Sequence, residues 1–177
     1  MVVLDGIEGS GKVNPGSPME KLAEERELKE IAEAEPQDEE DRANLISRIQ
    51  RMTVSERIKL ALLGNKEVRT ILIRDPVKSV QVAVIQNPRI TETEVERIAA
   101  SRNVDEEVLR LILKNRNWTK LYPVKVALVK NPKTPMKESL RLLSHLRERE
   151  LKEVAASKNL PNPVIVAAKK LLSERNP

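Results

Sequence analysis

The sequence predicts an all-α fold: a right-handed α-solenoid of short helix pairs, led by a flexible acidic N-terminal arm. Three observations carry this expectation. Asparagines at positions 87, 103, 117 and 131 punctuate the chain at spacings of 16, 14 and 14 residues, and Asn159 stands two further steps of 14 beyond. Between them, apolar residues recur with the helical period in runs too short to bury their own faces except against neighbours. Aromatic residues are nearly absent, with one Trp, one Tyr and no Phe. The core is therefore Leu, Ile, Val and Ala, which suits closely packed short helices better than a sheet sandwich.

Three regions follow from composition: a leader over 1–18, an acidic helix and linker over 19–41, and a helical-repeat domain over 42–177. The leader, MVVLDGIEGSGKVNPGSP, resembles at its start the first strand and phosphate loop of thymidylate kinases and other P-loop enzymes. Gly6 to Lys12 fits the G-x-x-x-x-G-K frame, whose amides wrap a phosphate that the lysine reaches. Val13 stands where a Ser or Thr would hold magnesium, and Pro15 and Pro18 fall where the phosphate-binding helix has to start. A working nucleotide site is not expected there. Met19 to Glu35 then reads as a helix with a thin apolar stripe at Leu22, Leu28 and Ile31, and PQDEED reads as a break.

From Arg42 the chain repeats one grammar. Leu45, Ile46 and Ile49 make an amphipathic helix. Thr53-Val54-Ser55-Glu56 is a capping box, followed by Ile58, Leu60, Ala61, Leu62 and Leu63, with Gly64 as the C′ residue. Val68, Ile71 and Leu72 mark the next helix. Asp75-Pro76 supplies an N-cap and a first-turn proline for a helix over Val77 to Gln86. Thr91-x-x-Glu94 is a second capping box, with Val95, Ile98 and Ala99 behind it. Asp105 caps a helix with Val108, Leu111 and Ile112 on one face. Pro123 forces a start inside the irregular stretch from Trp118 to Lys130. Thr134-Pro135 opens a helix with Leu140, Leu143 and Leu146, Leu151 and Val154 mark another, and Asn162-Pro163 opens the last. This makes ten helices from residue 42.

Short helices with Asn-Pro steps resemble HEAT-like and leucine-rich-repeat-variant solenoids. The run from RMTVSERIKLALLGNKEVRTILIRDP through NPRIT and NRNW to VKNPKTP is similar to a bacterial family of helical-repeat proteins. That resemblance spans residues 42–172, its motifs are structural, and it implies a fold more than an activity.

The composition narrows the chemistry. Without cysteine and with a single histidine, His145, neither a disulfide framework nor a Cys/His metal site can form. No apolar run approaches the roughly 18 residues of a membrane span, so a soluble cytoplasmic protein is the expectation. His145 reads as a helix-ending residue, and the first-turn carboxylates are explained by the helix dipole. No catalytic residue and no cofactor are expected. The net charge of +5 is divided: residues 1–44 carry 13 acidic and 5 basic side chains, and residues 45–177 carry 14 and 27. Between Lys114 and Lys137 every charged side chain is basic, and the two aromatics lie inside the interval. Arg116, Trp118, Lys120, Tyr122, Lys125, Lys130, Lys133 and Lys137 are therefore the candidate partner-binding residues. The reading is a non-enzymatic scaffold for protein–protein interaction, with an acidic protein as one expected partner. The alternative is nucleic-acid binding through 114–137, since phosphates need cations and bases stack on aromatics.

Overall fold

A computed structural model describes residues 18–175, and these form twelve helices with no strand among them. They are α1 (Pro18–Ala32), α2 (Glu39–Arg51), α3 (Val54–Leu63), α4 (Lys66–Leu72), α5 (Lys78–Ile85), α6 (Glu92–Ala100), α7 (Glu106–Lys114), α8 (Arg116–Lys120), α9 (Tyr122–Lys130), α10 (Met136–Leu143), α11 (Glu148–Ala155) and α12 (Asn162–Arg175). The phosphate-loop-like leader lies outside the described residues.

Most starts follow the sequence chemistry. Thr53 and Thr91 each form a reciprocal capping box, with Glu56 and Glu94. Asn65 accepts from the Val68 amide, Asp105 from Glu107, and Asn115 from Asn117 and Trp118. Between residues 116 and 130 the expected single helix is two, because Pro123 falls in the first turn of α9 and Leu121 is extended before it. From α2 onward there are thus eleven helices rather than ten.

Two proline starts differ from expectation. Asp75 does not cap a helix: its Oδ1 accepts from the Val77 amide while its Oδ2 lies 3.1 Å from Arg57 Nε, so α5 begins at Lys78. Thr134 turns inward, its hydroxyl donating to the Leu128 carbonyl at 2.6 Å, and α10 starts uncapped after Pro135. Gly64 also serves another purpose than a left-handed C′ residue. Its φ is −60°, and a Cβ there would clash with the Val68 side chain. Glycine is required by the close approach of α3 to α4.

Alternate helices are neighbours along the first half: α3 packs on α1 and α5, and α5 packs on α7. Further on, α6 lies on α9, α9 touches α11, and α12 lies on α10 and α11. Two apolar clusters result. One runs from Ile31 and Ala32 through Leu45, Leu60 and Leu72 to Val84. The other runs from Ile85 through Leu109, Ile112, Leu128, Leu143 and Leu151 to Ala168. Each fully buried Leu or Ile contributes roughly 1.5–3 kcal/mol by leaving water. The clusters meet in α5, which buries five of its eight residues. Since Ile31 and Ala32 are in the first cluster, helix packing begins upstream of residue 42.

Four expected apolar positions lie at or beyond the margin of the core. In α7, flanked by α5 and α8, Leu109 is fully buried and Leu111 lies at the margin. In α10 the buried face is Ser139, Leu142 and Leu143, which leaves Leu140 turned to solvent. Leu62 and Leu63 are exposed at the end of α3.

The asparagines divide into two kinds. Asn103 and Asn159 are exposed between helices and Asn117 is exposed in the first turn of α8, whereas Asn87 and Asn131 are buried. Asn87 Nδ2 donates to the Ala61 and Gly64 carbonyls at the end of α3, at 2.8 and 3.2 Å. Asn131 Nδ2 donates to Ala99 and Ser101 at the end of α6, at 2.7 and 2.9 Å. Each Oδ1 accepts from the amide two residues on, Arg89 or Lys133. The side chain of that basic residue then donates to one more carbonyl, Leu63 or Val104. Asn65 does part of the same work, donating to the Ala34 carbonyl just past α1. The amide thus ties the end of one helix to the end of the helix packed beside it.

Arg69 of α4 and Glu94 of α6 form a buried pair, each 4% exposed. Arg69 Nε and Nη2 donate to the two carboxylate oxygens at 2.9 and 2.8 Å, and Nη1 donates to the Gly64 carbonyl at 3.0 Å. The same carboxylate accepts from the Thr91 amide and hydroxyl. Burial pushes the Glu94 carboxyl up, but the hydrogen bonds from Arg69 and Thr91 more than offset it, so its pKa lies below the ordinary value.

Two outcomes follow for stability. Asn131→Ala should cost about 1–3 kcal/mol in urea unfolding, because two carbonyls lose their donor. Asn131→Asp should cost more, since it sets carboxylate oxygens against those carbonyls. Equal losses for the two variants would contradict the donor role. For Glu94, a depressed native pKa means a contribution that is complete above the unfolded value of about 4.3 and lost as pH falls through the native pKa. Glu94→Gln should cost about 3–5 kcal/mol at neutral pH and flatten the stability profile below about pH 4.5, while Arg69→Met with Glu94→Leu should recover most of the loss. A double variant no better than the single would disprove this.

Candidate interaction surface

The basic interval divides once its side chains are placed. Trp118 is half-buried and packs against the larger cluster. Tyr122 is half-buried in a bracket: its hydroxyl donates to Glu150 Oε2 at 2.8 Å and accepts from the Arg147 amide at 2.9 Å. The Arg147 guanidinium lies 4.7 Å from the ring centroid, a cation–π contact. The hydrogen bond from Tyr122 holds the Glu150 carboxyl below its ordinary pKa. Lys130, eight residues on and on the same side of α9, pairs with Glu153 of α11, which lowers the pKa of that carboxyl also. Lys133 Nζ is folded back onto the Val104 carbonyl at 3.0 Å. Four of the eight candidates thus hold helices together.

The other four hold no helices together. Arg116 and Lys120, one turn apart, share the outer side of α8, Lys125 lies half-buried on α9, and Lys137 is exposed in the first turn of α10. None of their side chains makes a hydrogen bond or ion pair with a described residue. The separation is physical: side chains at α9 positions 122 and 130 reach α11, whereas Arg116 and Lys120 lie on the exposed side of α8.

A second basic set, of which only Lys114 and Lys137 fall in the interval singled out from sequence, lies on α7, α10 and α12. The first turns of α7 and α10 and the approach to α12 converge on one notch, lined by Arg110, Met136, Lys137 and Pro161 among others. Each of these helices exposes basic side chains: Arg110 and Lys114, Lys137 and Arg141, Lys169 and Lys170. One of each pair is engaged within its own helix, Arg110 with Glu106, Arg141 with Glu138 and Lys170 with Glu174. Lys114, Lys137 and Lys169 are left without an ion pair among the described residues. The same helices expose apolar side chains, Met136 at 49% and Leu140 at 36% on α10 and Val166 at 55% on α12. Sequence order hides this set, because the three helices are separated in the chain by α8, α9 and α11.

His145 is exposed after α10, its Nδ1 3.3 Å from the Ser144 hydroxyl. Among the described residues no cluster of three or more His, Asp or Glu is placed to hold a metal, and no helix is long and apolar enough to cross a membrane.

The division predicts different costs. Tyr122→Phe should lower stability by roughly 0.5–1.5 kcal/mol through loss of the two hydroxyl bonds, and Arg116→Glu should stay within about 0.5 kcal/mol of the parent. Urea titration of both variants checks this, and an unchanged midpoint for Tyr122→Phe would contradict the bracket.

Compared with known proteins, the chain matches no family model, no curated protein and no solved structure.

Proposed function

We propose that this chain is a non-enzymatic scaffold, a right-handed solenoid of HEAT-like helix pairs, whose α7–α10–α12 face takes an acidic protein partner. The packing of alternate helices and the recurrence of the asparagine tie support the solenoid reading. The observation that carries the partner is the pattern on the three helices: each exposes one lysine with no ion pair among the described residues, and α10 and α12 expose Met136, Leu140 and Val166 as well. Aliphatic side chains rimmed by cations suit an acidic amphipathic helix, which brings apolar contacts and carboxylates together. A nucleic-acid backbone offers no use for the aliphatic groups, and both aromatics that would stack on bases are engaged in packing.

The test is a titration at low salt with a labelled acidic amphipathic peptide, and in parallel with labelled duplex DNA and single-stranded RNA. Changing Lys114, Lys137 and Lys169 together to Glu should weaken the peptide about 10–100-fold, taking roughly 0.2–1 kcal/mol or somewhat more for each exposed contact. Met136→Ser with Val166→Ser should weaken it as well. Nucleic acid bound more tightly than the peptide, with the affinity removed by Arg116→Glu, Lys120→Glu and Lys125→Glu, would replace this reading with the nucleic-acid one.

A further inference from the structure

The two ends of the chain are unlike in charge and alike in what they leave uncovered. The first two helices, residues 18–51, carry eleven acidic and six basic side chains, a net of −5. The last three, residues 136–175, carry five acidic and nine basic, a net of +4. At the first end Met19 is 81% exposed and Leu22 50%, and a groove between α1 and α3 is floored by Leu28, Leu62 and Leu63. Lysines also stand on its rim, Lys21, Lys29 and Lys59, beside Glu24 and Glu25, so the acidic character belongs to the whole end. At the other end the side of α12 turned away from α10 and α11 presents Val166, Lys169 and Lys170.

Inside the chain, successive helices of one row are joined by ion pairs. Arg42 of α2 meets Glu67 of α4, Arg69 of α4 meets Glu94 of α6, and Lys130 of α9 meets Glu153 of α11. In each of these the cation comes from the earlier helix and the carboxylate from the later one in the row. On α12, Lys169 makes no ion pair among the described residues, and α1 and α2 carry an excess of carboxylates.

We infer that the acidic partner is a second copy of this chain, docking head to tail, with the α1–α3 end of one copy on the α10–α12 end of the next. This rests on the proposed acidic-partner face and names its occupant. Both patches are needed and they differ, so the contact is heterologous: each copy keeps one patch of each kind open, and the assembly extends. Opposite charge at the two ends steers that encounter and makes it sensitive to salt.

Sedimentation velocity on the full-length chain at low ionic strength tests this, with circular dichroism as the check on folding. The parent should give a concentration-dependent series of species that shrinks as salt is raised. Leu22→Glu with Leu63→Glu disables the first end, and Val166→Glu with Lys169→Glu disables the last. All four positions are exposed, so both variants should fold, and each alone should sediment as a monomer. Their equimolar mixture has one intact contact and should give a dimer of twice the monomer mass and nothing longer. A parent that stays monomeric at several hundred micromolar would overturn the inference, as would a mixture that stays monomeric or a single variant that dimerises by itself. If the parent is monomeric while the acidic peptide still binds and the triple lysine variant still weakens it, the self-docking fails and the partner face stands. If neither peptide nor second copy binds, both readings fail together.

Discussion

Backbone accounting governs this structure. An α-helix leaves four amides and four carbonyls without partners at its two ends, whatever its length. In helices of seven to nine residues, such as α4, α5, α6 and α7, that deficit touches about half of the main-chain polar groups. Nucleation in isolation is also unfavourable at this length. The fold survives because side chains make up the deficit across helices as well as within them. Asn65, Asn87 and Asn131 supply donors to carbonyls beside a packed neighbour, Arg69 reaches the Gly64 carbonyl, and Gln81 accepts from the Asp105 amide while donating to the Asp75 carbonyl.

This choice has an electrostatic consequence. Glu94 is a capping-box residue, as Glu56 is, but Glu56 lies at a partly exposed start whereas Glu94 is enclosed. An enclosed carboxylate needs a cation, and Arg69 meets it with two parallel bonds. A local device for starting one helix has thereby become a link between two. The links near the surface, Arg42 with Glu67 and Lys130 with Glu153, are more exposed and more weakly held.

Much of the architecture was legible in the sequence. Both capping boxes, the break at Pro123 and the apolar periodicity state local preferences that packing did not overrule. Asp75 and Thr134 looked like caps because residue type and a following proline suffice for one. What turned them inward, Arg57 in one case and the Leu128 carbonyl in the other, lies 18 and 6 residues away. The asparagine ladder was read as uniform, although only Asn87 and Asn131 carry both a following proline and a basic residue after it. That Asn-Pro-basic signature separates the buried ties from the exposed asparagines. For the interaction surface, the interval 114–137 is too literal a boundary: nearness in sequence groups Lys130 with Lys120, while the structure brings Lys137 to one notch with Arg110 of α7 and Pro161 before α12.

The asparagine tie also acts as a ruler. From Ala61 to Asn87 the chain takes 26 residues, and from Ala99 to Asn131 it takes 32. Both intervals lead from the end of one helix to the tie on its packed neighbour, and the second is longer by six. Residues 116–121, the turn of α8 with Leu121, have that length. The surplus is looped out between two fixed points, so it leaves the register on either side unchanged. A gain or loss of one residue inside α5 or α9 would instead rotate every following side chain by about 100° and swing the asparagine away from its carbonyls. Chains of this kind can therefore lengthen during evolution by bulging at a corner such as α8 or by copying a whole interval, and the spacing between Asn-Pro-basic triplets is where that history would be read.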